Sequence, residues 1–467
     1  MVDTTLAHCT FRNFDITISH PVPPYSVTAL YQGRSATSTL DQDSTQSSWP
    51  QWLDQLGEIF VPEETLTRVG THLYRALFQG EVGRLWQDAQ AVLAEAEGVR
   101  LRLRLTIHPP QVAALPWESL RDPRSNRILA ISDRITLLRT ANQRDYLLGV
   151  RLPKRRTPLT ILLLAVETPD GLAVHQEADG IETMLAPFTP QQIRLIRAEG
   201  RLDLHHLRRL LQEHQPDVLH IMGHGEADGL LLWREERPHL YTGSQVQAAL
   251  EQNESLRLVL LNACLAGKPD SQRPFSSVAQ RLMQIGLPAV IAMQFSIEDQ
   301  TAIHFASFVY EALLKGNCPG FVDSAVSAAR SNLYIHDPNQ VGYITPVLWL
   351  NGADGQILAL DAPAQRAVEE ATESIQLTLP PPPLRELGVT EKRAWLDALP
   401  PSIPYLNLRY ASLVQEARAS LDRLHSLDQA QRQGQPAPAK VAQDLLETFG
   451  RLRTQIDNLA NIRNDLG

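Results

Sequence analysis

"DVLHIMGHGEADGLLL" occupies residues 217–232, an apolar run that meets Gly223-His224-Gly225 and then turns apolar again. Some forty residues on, "LRLVLLNAC" (256–264) is a second apolar run, and it ends on Cys264. Short, continuous apolar runs of this kind read as strands covered on both faces. Between them "SQVQAALEQ" (244–252) has helical spacing, so the segment reads strand, helix, strand, the unit of a parallel sheet.

The same rhythm extends in both directions. "LTILLLAV" (159–166) precedes Val174, Ala178, Ile181 and Leu185 at helical spacing, followed by "QIRLIRA" and the helix "LDLHHLRRLLQEH". Beyond Cys264 come "SSVAQRLMQIG", "AVIAMQ" and a helix from Ile297 to Leu314. Residues 151–365 therefore form an α/β core, a predominantly parallel sheet flanked by helices.

Residues 1–150 read as an N-terminal α+β extension. In "RNFDITISHPVPPYSVTALYQ" (12–32) two alternating runs flank prolines, the pattern of a hairpin. The polar "SATSTLDQDSTQSS" (35–48) is expected to be an exposed loop, and residues 51–97 carry helical spacing. "VRLRLRLTI" (99–107) alternates strictly, predicting a strand with one wet face, and "ISDRITLLRT" (131–140) predicts another. At the other end, 366–384 is a Pro-rich linker closing in "PPPP", and 385–467 reads as a C-terminal helical bundle with apolar residues three and four apart.

Composition removes several classes of function. A chain of 467 residues with 43% hydrophobic residues can bury several cores, and its net charge of -9 provides no basic stripe for nucleic acid. "RLPKRR" (151–156) reads as a solvated linker rather than a phosphate-binding patch. There is no signal-type apolar segment and no run near the roughly 18 apolar residues of a membrane span, so a cytoplasmic protein away from membranes is expected. Three scattered cysteines, Cys9, Cys264 and Cys318, give no disulfide framework and no zinc spacing, so three free thiols are expected.

In open α/β sheets ligands bind beyond the carboxyl ends of strands. If the strands ending at His224 and Cys264 are neighbours, a thiol and an imidazole face one cleft, and an imidazole can generate or stabilise the thiolate that attacks a carbonyl. Each residue also has a plainer reading, Cys264 as strand packing and His224 as a turn residue. A metal site of His220, His224, Glu226 and Asp228 is a weaker alternative, because a four-residue spacing shares a face in a helix and this segment is a strand running into a loop.

"HIMGHG" followed by "LVLLNACLAG" closely resembles the paired motifs of CHAT-domain proteins, caspase-like cysteine peptidases of the fold shared by caspases, metacaspases and separases. "LPWESLRDPRSNRILAIS" (115–132), "GLPAVIAMQFSIEDQTAIHFASFVYEALLKG" (286–316), "AVSAAR" and "TPVLWLNG" are similar to further segments of the family, over residues 60–360. The resemblance implies His224 and Cys264 as a catalytic dyad, backbone N–H groups of Gly225 and Cys264 as oxyanion donors, and no metal or organic cofactor. It places Asn262, with Asp270, Gln294 and Asp299, as candidates to bind the substrate. It also implies a protein substrate, while the Pro-rich break and the apolar spacing beyond it make residues 385–467 a candidate module for a regulatory partner. The alternative is an inactive caspase-like adaptor recruiting partners through that C-terminal module.

Overall fold

The computed structural model describes most of residues 9–358; outside it lie 21–22, 41–60 except Trp52 and Leu56, 141–157, 170–173, 227–228, 266–275, 337–340, 352–354, a few single positions, and everything beyond 358. Its strands are β1 (Thr10–Ser19), β2 (Tyr25–Tyr31), β3 (Arg34–Leu40), β4 (Val99–Ile107), β5 (Ile135–Arg139), β6 (Leu159–Val166) and β7 (Ile193–Gly200). They continue as β8 (Val218–Glu226), β9 (Gly229–Arg234), β10 (Arg237–Thr242), β11 (Leu258–Leu265), β12 (Ala289–Met293) and β13 (Pro346–Leu350). The main helices are α1 (Glu63–Leu77), α2 (Gly80–Glu95), α3 (Val174–Leu185), α4 (Leu204–His214), α5 (Gly243–Leu250), α6 (Ser276–Gln284), α7 (Asp299–Lys315) and α8 (Val322–His336).

The described strands join into one 13-stranded sheet, ordered β10-β9-β8-β11-β12-β13-β5-β4-β1-β2-β3, with β6 and β7 added beside β8. Parallel pairing links β7, β6, β8, β11 and β12, while β13 runs antiparallel to β12. The mostly parallel sheet flanked by helices is the fold class read from the sequence. Alternate residues of the central strands explain its two faces. Leu219, Ile221, Val259, Leu261 and Ala263 join Leu207, Leu211, Val246, Leu250, Val278 and Leu282 from α4, α5 and α6 in one apolar layer. The intervening residues, including His220, His224 and Asn262, face the other way, toward α3 and α7. Burial of an aliphatic side chain in such a layer stabilises by about 1.5–3 kcal/mol, and every position in these strands that can take one does.

The extension shares the same sheet: β1 pairs β2 antiparallel and β4 parallel, and β5 joins β4 to β13. Two expectations are corrected here. Residues 35–40, expected as part of a loop, lie in β3, paired with β2 along its length. It is an edge strand with most side chains exposed, so Ser and Thr serve where apolar residues would not, and the polarity that resembled a loop reflects only missing burial. The alternating face of β4 is not wet either. Arg102 is 2% exposed, and its Nε donates to Asp323 Oδ2 of α8 at 2.7 Å. Thr136 Oγ1 donates to the same oxygen at 2.9 Å.

The cysteines are also corrected: Cys9 and Cys318 form a disulfide with Cα atoms 5.9 Å apart, tying the start of β1 to the turn between α7 and α8. A separation of 309 residues hid this pairing, because only the folding of β1 alongside β4 brings the two together. The chain divides into two compact units, Met1–Ala364 and Gln365–Gly467. The expected linker at 366–384 and helical module at 385–467 lie outside the described residues, as does the 151–156 segment. Among the described residues no helix is long and apolar enough to cross a membrane.

Candidate active site

His224 and Cys264 are directly paired. β8 and β11 run parallel and adjacent, with Cys264 opposite His224 and Leu265 opposite Gly225. Neighbouring strands lie about 4.8 Å apart, so the register sets the backbone of residue 264 directly beside that of His224. The condition on which the dyad depended, that the two strands be neighbours, is met.

The histidine is not in a turn. β8 continues through Glu226, and it changes neighbours on the side away from β11: β6 pairs it as far as Met222, then β9 takes over from His224 to Glu226. The hairpin of β9 and β10 folds back to supply this second partner, so His224 is held in a ladder on both sides. Gly223 marks the exchange, with φ +158°, and a Cβ there would lie 3.2 Å from Val166 Cβ at the end of β6. The glycine is needed for close approach as much as for its backbone angle. His224 itself is 6% exposed.

Beneath the pair lies a polar cluster on the same face. Glu177 of α3 accepts a hydrogen bond from Asn262 Nδ2 at 2.7 Å, and its Oε1 lies 2.9 Å from His220 Nε2. The histidine contact is off the N–H direction, a close polar approach rather than an aligned hydrogen bond. Asn262 Nδ2 also reaches the carbonyl of Ala302 in α7 at 3.3 Å. Tyr310 of α7 places its hydroxyl 3.4 Å from His220 Nδ1, and burial pushes its phenol far up, so it stays protonated. With Glu177 able only to accept, the consistent arrangement has His220 Nε2–H toward the carboxylate and Nδ1 receiving the tyrosine proton. His220 is wholly buried and committed to this cluster.

The other candidates are placed as follows. Asn262 is 3% exposed and turned onto α3 and α7, while its Oδ1 is buried with no hydrogen-bond partner. Gln294 follows β12 and spends its amide within the fold: Nε2 donates to Glu118 Oε2 at 2.8 Å and to the Ile344 carbonyl at 2.6 Å, and Oε1 accepts from Arg139 at 3.0 Å. It completes a buried cluster in which Arg139 grips Glu118 through two nitrogens, at 3.0 and 2.6 Å. Asp299 begins α7, and Asp270 and Asp228 lie outside the described residues. Among the described residues no group of three or more His, Cys, Asp or Glu could hold a metal ion. Glu177 and Tyr310 were missed by sequence reasoning. Glu177 did leave a signal, a carboxylate on the apolar stripe of a helix.

The family model for the CHAT domain matches residues 67–365. No curated protein matches the sequence. Among solved structures the chain is similar to separase in the Saccharomyces cerevisiae separase–securin complex, at 12% identity and a TM-score of 0.41, over 74% of this chain and 30% of that one. It is also similar to a secreted C11 cysteine protease from Bacteroides thetaiotaomicron, solved with an irreversible peptide inhibitor, at 14% identity and a TM-score of 0.28, over 38% of this chain and 58% of that one. The chain thus spans less than a third of the separase chain and under two thirds of the protease.

Proposed function

This chain belongs to the CHAT-domain family, and from that premise we propose that it is a cysteine endopeptidase with Cys264 as nucleophile and His224 as acid and base. The observation that carries the proposal is the register of β8 and β11, which pairs these two positions and no others capable of this chemistry.

In the reaction proposed, Cys264 thiolate attacks the scissile carbonyl carbon and a C–S bond forms. The tetrahedral oxyanion is received by the N–H groups of Gly225 and Cys264, which follow the dyad's register. As the C–N bond breaks, imidazolium His224 gives its proton to the departing amine. Neutral His224 then takes a proton from water, hydroxide adds to the thioester, and the C–S bond breaks to return the thiolate. No metal or organic cofactor takes part in this scheme.

For the substrate, Asn262, Asp270, Gln294 and Asp299 remain the candidates to contact the side chain before the cut. A neutral amide at 262 brings no charge, so a weaker preference for Arg or Lys is expected than an acidic residue would give. The segment from Cys264 to α6 is about a dozen residues, too short to present an excisable linker, so the active form is an intact chain switched by a conformational change. Residues 385–467 are proposed to receive the regulatory partner.

Labelling with a thiol-reactive peptide probe tests the dyad. Probe is expected on Cys264 in the wild type, with none on Cys264→Ala and at least ~100-fold slower labelling of His224→Ala. Wild-type labelling of His224→Ala overturns the assignment.

A further inference from the structure

We propose that Glu177 is a positioning residue, a carboxylate from α3 that bridges β8 and β11 beneath the dyad and fixes how His224 and Cys264 stand to each other. The inference rests on the dyad reading above. It starts from a placement that nothing in that reading uses. One oxygen, Glu177 Oε1, lies 2.7 Å from Asn262 Nδ2 on β11 and 2.9 Å from His220 Nε2 on β8. Asn262 stands two residues before Cys264 and His220 four before His224, all at even positions of one face. Both lever arms are therefore short: one pleat on β11 and two on β8, about 7 and 14 Å.

The β8–β11 ladder ends one residue past the dyad, at Leu265 opposite Gly225, so few bonds between these two strands lie beyond it. A bridge through a side chain that both strands share ties them on the face where the chemistry occurs. The cluster is built for rigidity. Glu177 has a side-chain exposure of 6%, His220 of 0%, and Tyr310 and the Ala302 carbonyl pin the outer members to α7. Two buried carboxylates that pair with arginines are different in kind. Glu118 with Arg139, and Asp323 with Arg102, bind the N-terminal part of the sheet to its surroundings, and neither has a partner on β8 or β11. A Glu at this position also opposes the apolar stripe of its helix, formed by Val174, Ala178 and Ile181, so its presence there costs burial unless the bridge repays it.

A role in positioning makes a prediction that a role in charge does not. In Glu177→Gln the carbonyl oxygen in the place of Oε1 can accept from Asn262 Nδ2 and face His220 Nε2–H as the carboxylate oxygen does, with Tyr310 still donating to His220 Nδ1. The bridge then survives without the charge. In Glu177→Leu it is lost at nearly equal volume.

The measurement is the rate of Cys264 alkylation by iodoacetamide in the full chain from pH 5 to pH 9, followed by peptide mass spectrometry. The wild type is expected to keep a low-pH limb from the thiolate–imidazolium pair, absent in His224→Ala. In Glu177→Leu that limb should fall about tenfold or more and the midpoint should move up toward an ordinary thiol, while Glu177→Gln stays within about threefold of wild type. Asp323→Asn, which breaks a buried pair elsewhere, should lower thermal stability and leave the profile alone. A wild-type profile in Glu177→Leu overturns the inference. So does a Glu177→Gln variant as impaired as Glu177→Leu, because the effect would then be one of charge. If the wild type itself shows no limb dependent on His224, the dyad reading fails and takes the bridge with it, a result distinct from the other two. Should Glu177→Leu not fold, Asn262→Ala cuts only the β11 arm: loss of the limb supports the bridge and its full retention overturns it.

Discussion

Asn262 shows how one residue's meaning depends on its neighbours. The resemblance to related peptidases makes Asn262, two before Cys264, a candidate to line the substrate pocket. Its amide is also tied to Glu177 at 2.7 Å, a contact 85 residues away in sequence. This contact has a consequence in pH. Asn262→Asp would set two carboxylates against each other with His220 and Tyr310 on the far side, and the folded pair would hold a proton that the unfolded chain releases near pH 4. A folded pKa raised in this way gives stability that is full at low pH and lost as pH rises, by about 1.4 kcal/mol per pH unit until the folded pKa is reached. The difference in Tm between Asn262→Asp and wild type is expected to widen from pH 5 to pH 8. A constant difference would deny the contact. Glu177 itself was legible only as an oddity, an acid between Val174 and Ala178 on a stripe otherwise apolar.

At the scale of elements, helix and strand positions followed closely from periodicity wherever burial was two-sided or one-sided in the ordinary way. β6, β8, β11 and β12 are apolar runs, and α3 to α7 follow their three-and-four spacing. The misreadings came where tertiary contact replaced water. β4 looked half wet because its arginines alternate, yet Arg102 is paired with Asp323 in the interior. β9 and β10 were not anticipated, and they are what keeps His224 in a ladder. α7 carries a testable titration. Burial raises the Glu311 carboxyl to about 7, against a smaller opposing pull from Lys315 one turn on. The protonated folded form is favoured, so this group's stabilising contribution is complete below the unfolded value near 4.5 and is lost as pH climbs to about 7. Glu311→Gln is expected to flatten the Tm profile between pH 4.5 and pH 7, raising stability at pH 7.5 by up to about 3 kcal/mol. An unchanged slope would show that Glu311 is solvated.

At the scale of the molecule two features of the chain can be tested directly. The Cys9–Cys318 disulfide closes a span of 309 residues. Its reduction, or Cys9→Ser, should cost about 2–5 kcal/mol, seen as a lower Tm under reducing conditions in the wild type but not in the variant. Equal Tm values with and without reductant would show that the bond does not form. Residues 1–364 should fold without 365–467, since each makes its own compact unit, and the truncated chain should keep the wild-type Tm of its main transition. An insoluble or unfolded truncation would show that the second unit is structural. The sequence by itself determined the parallel α/β core, because continuous apolar runs and helical spacing are local properties, and its strand-end motifs, through their resemblance to the CHAT family, nominated His224 and Cys264 as the proposed dyad. Only the tertiary structure decided which strands are neighbours, that β9 holds the histidine, that Glu177 joins the two strands from below, and that Cys9 meets Cys318. Those depend on register and on contacts between residues far apart in the chain, where hydrogen bonding and burial are settled by the packed whole rather than by any segment alone.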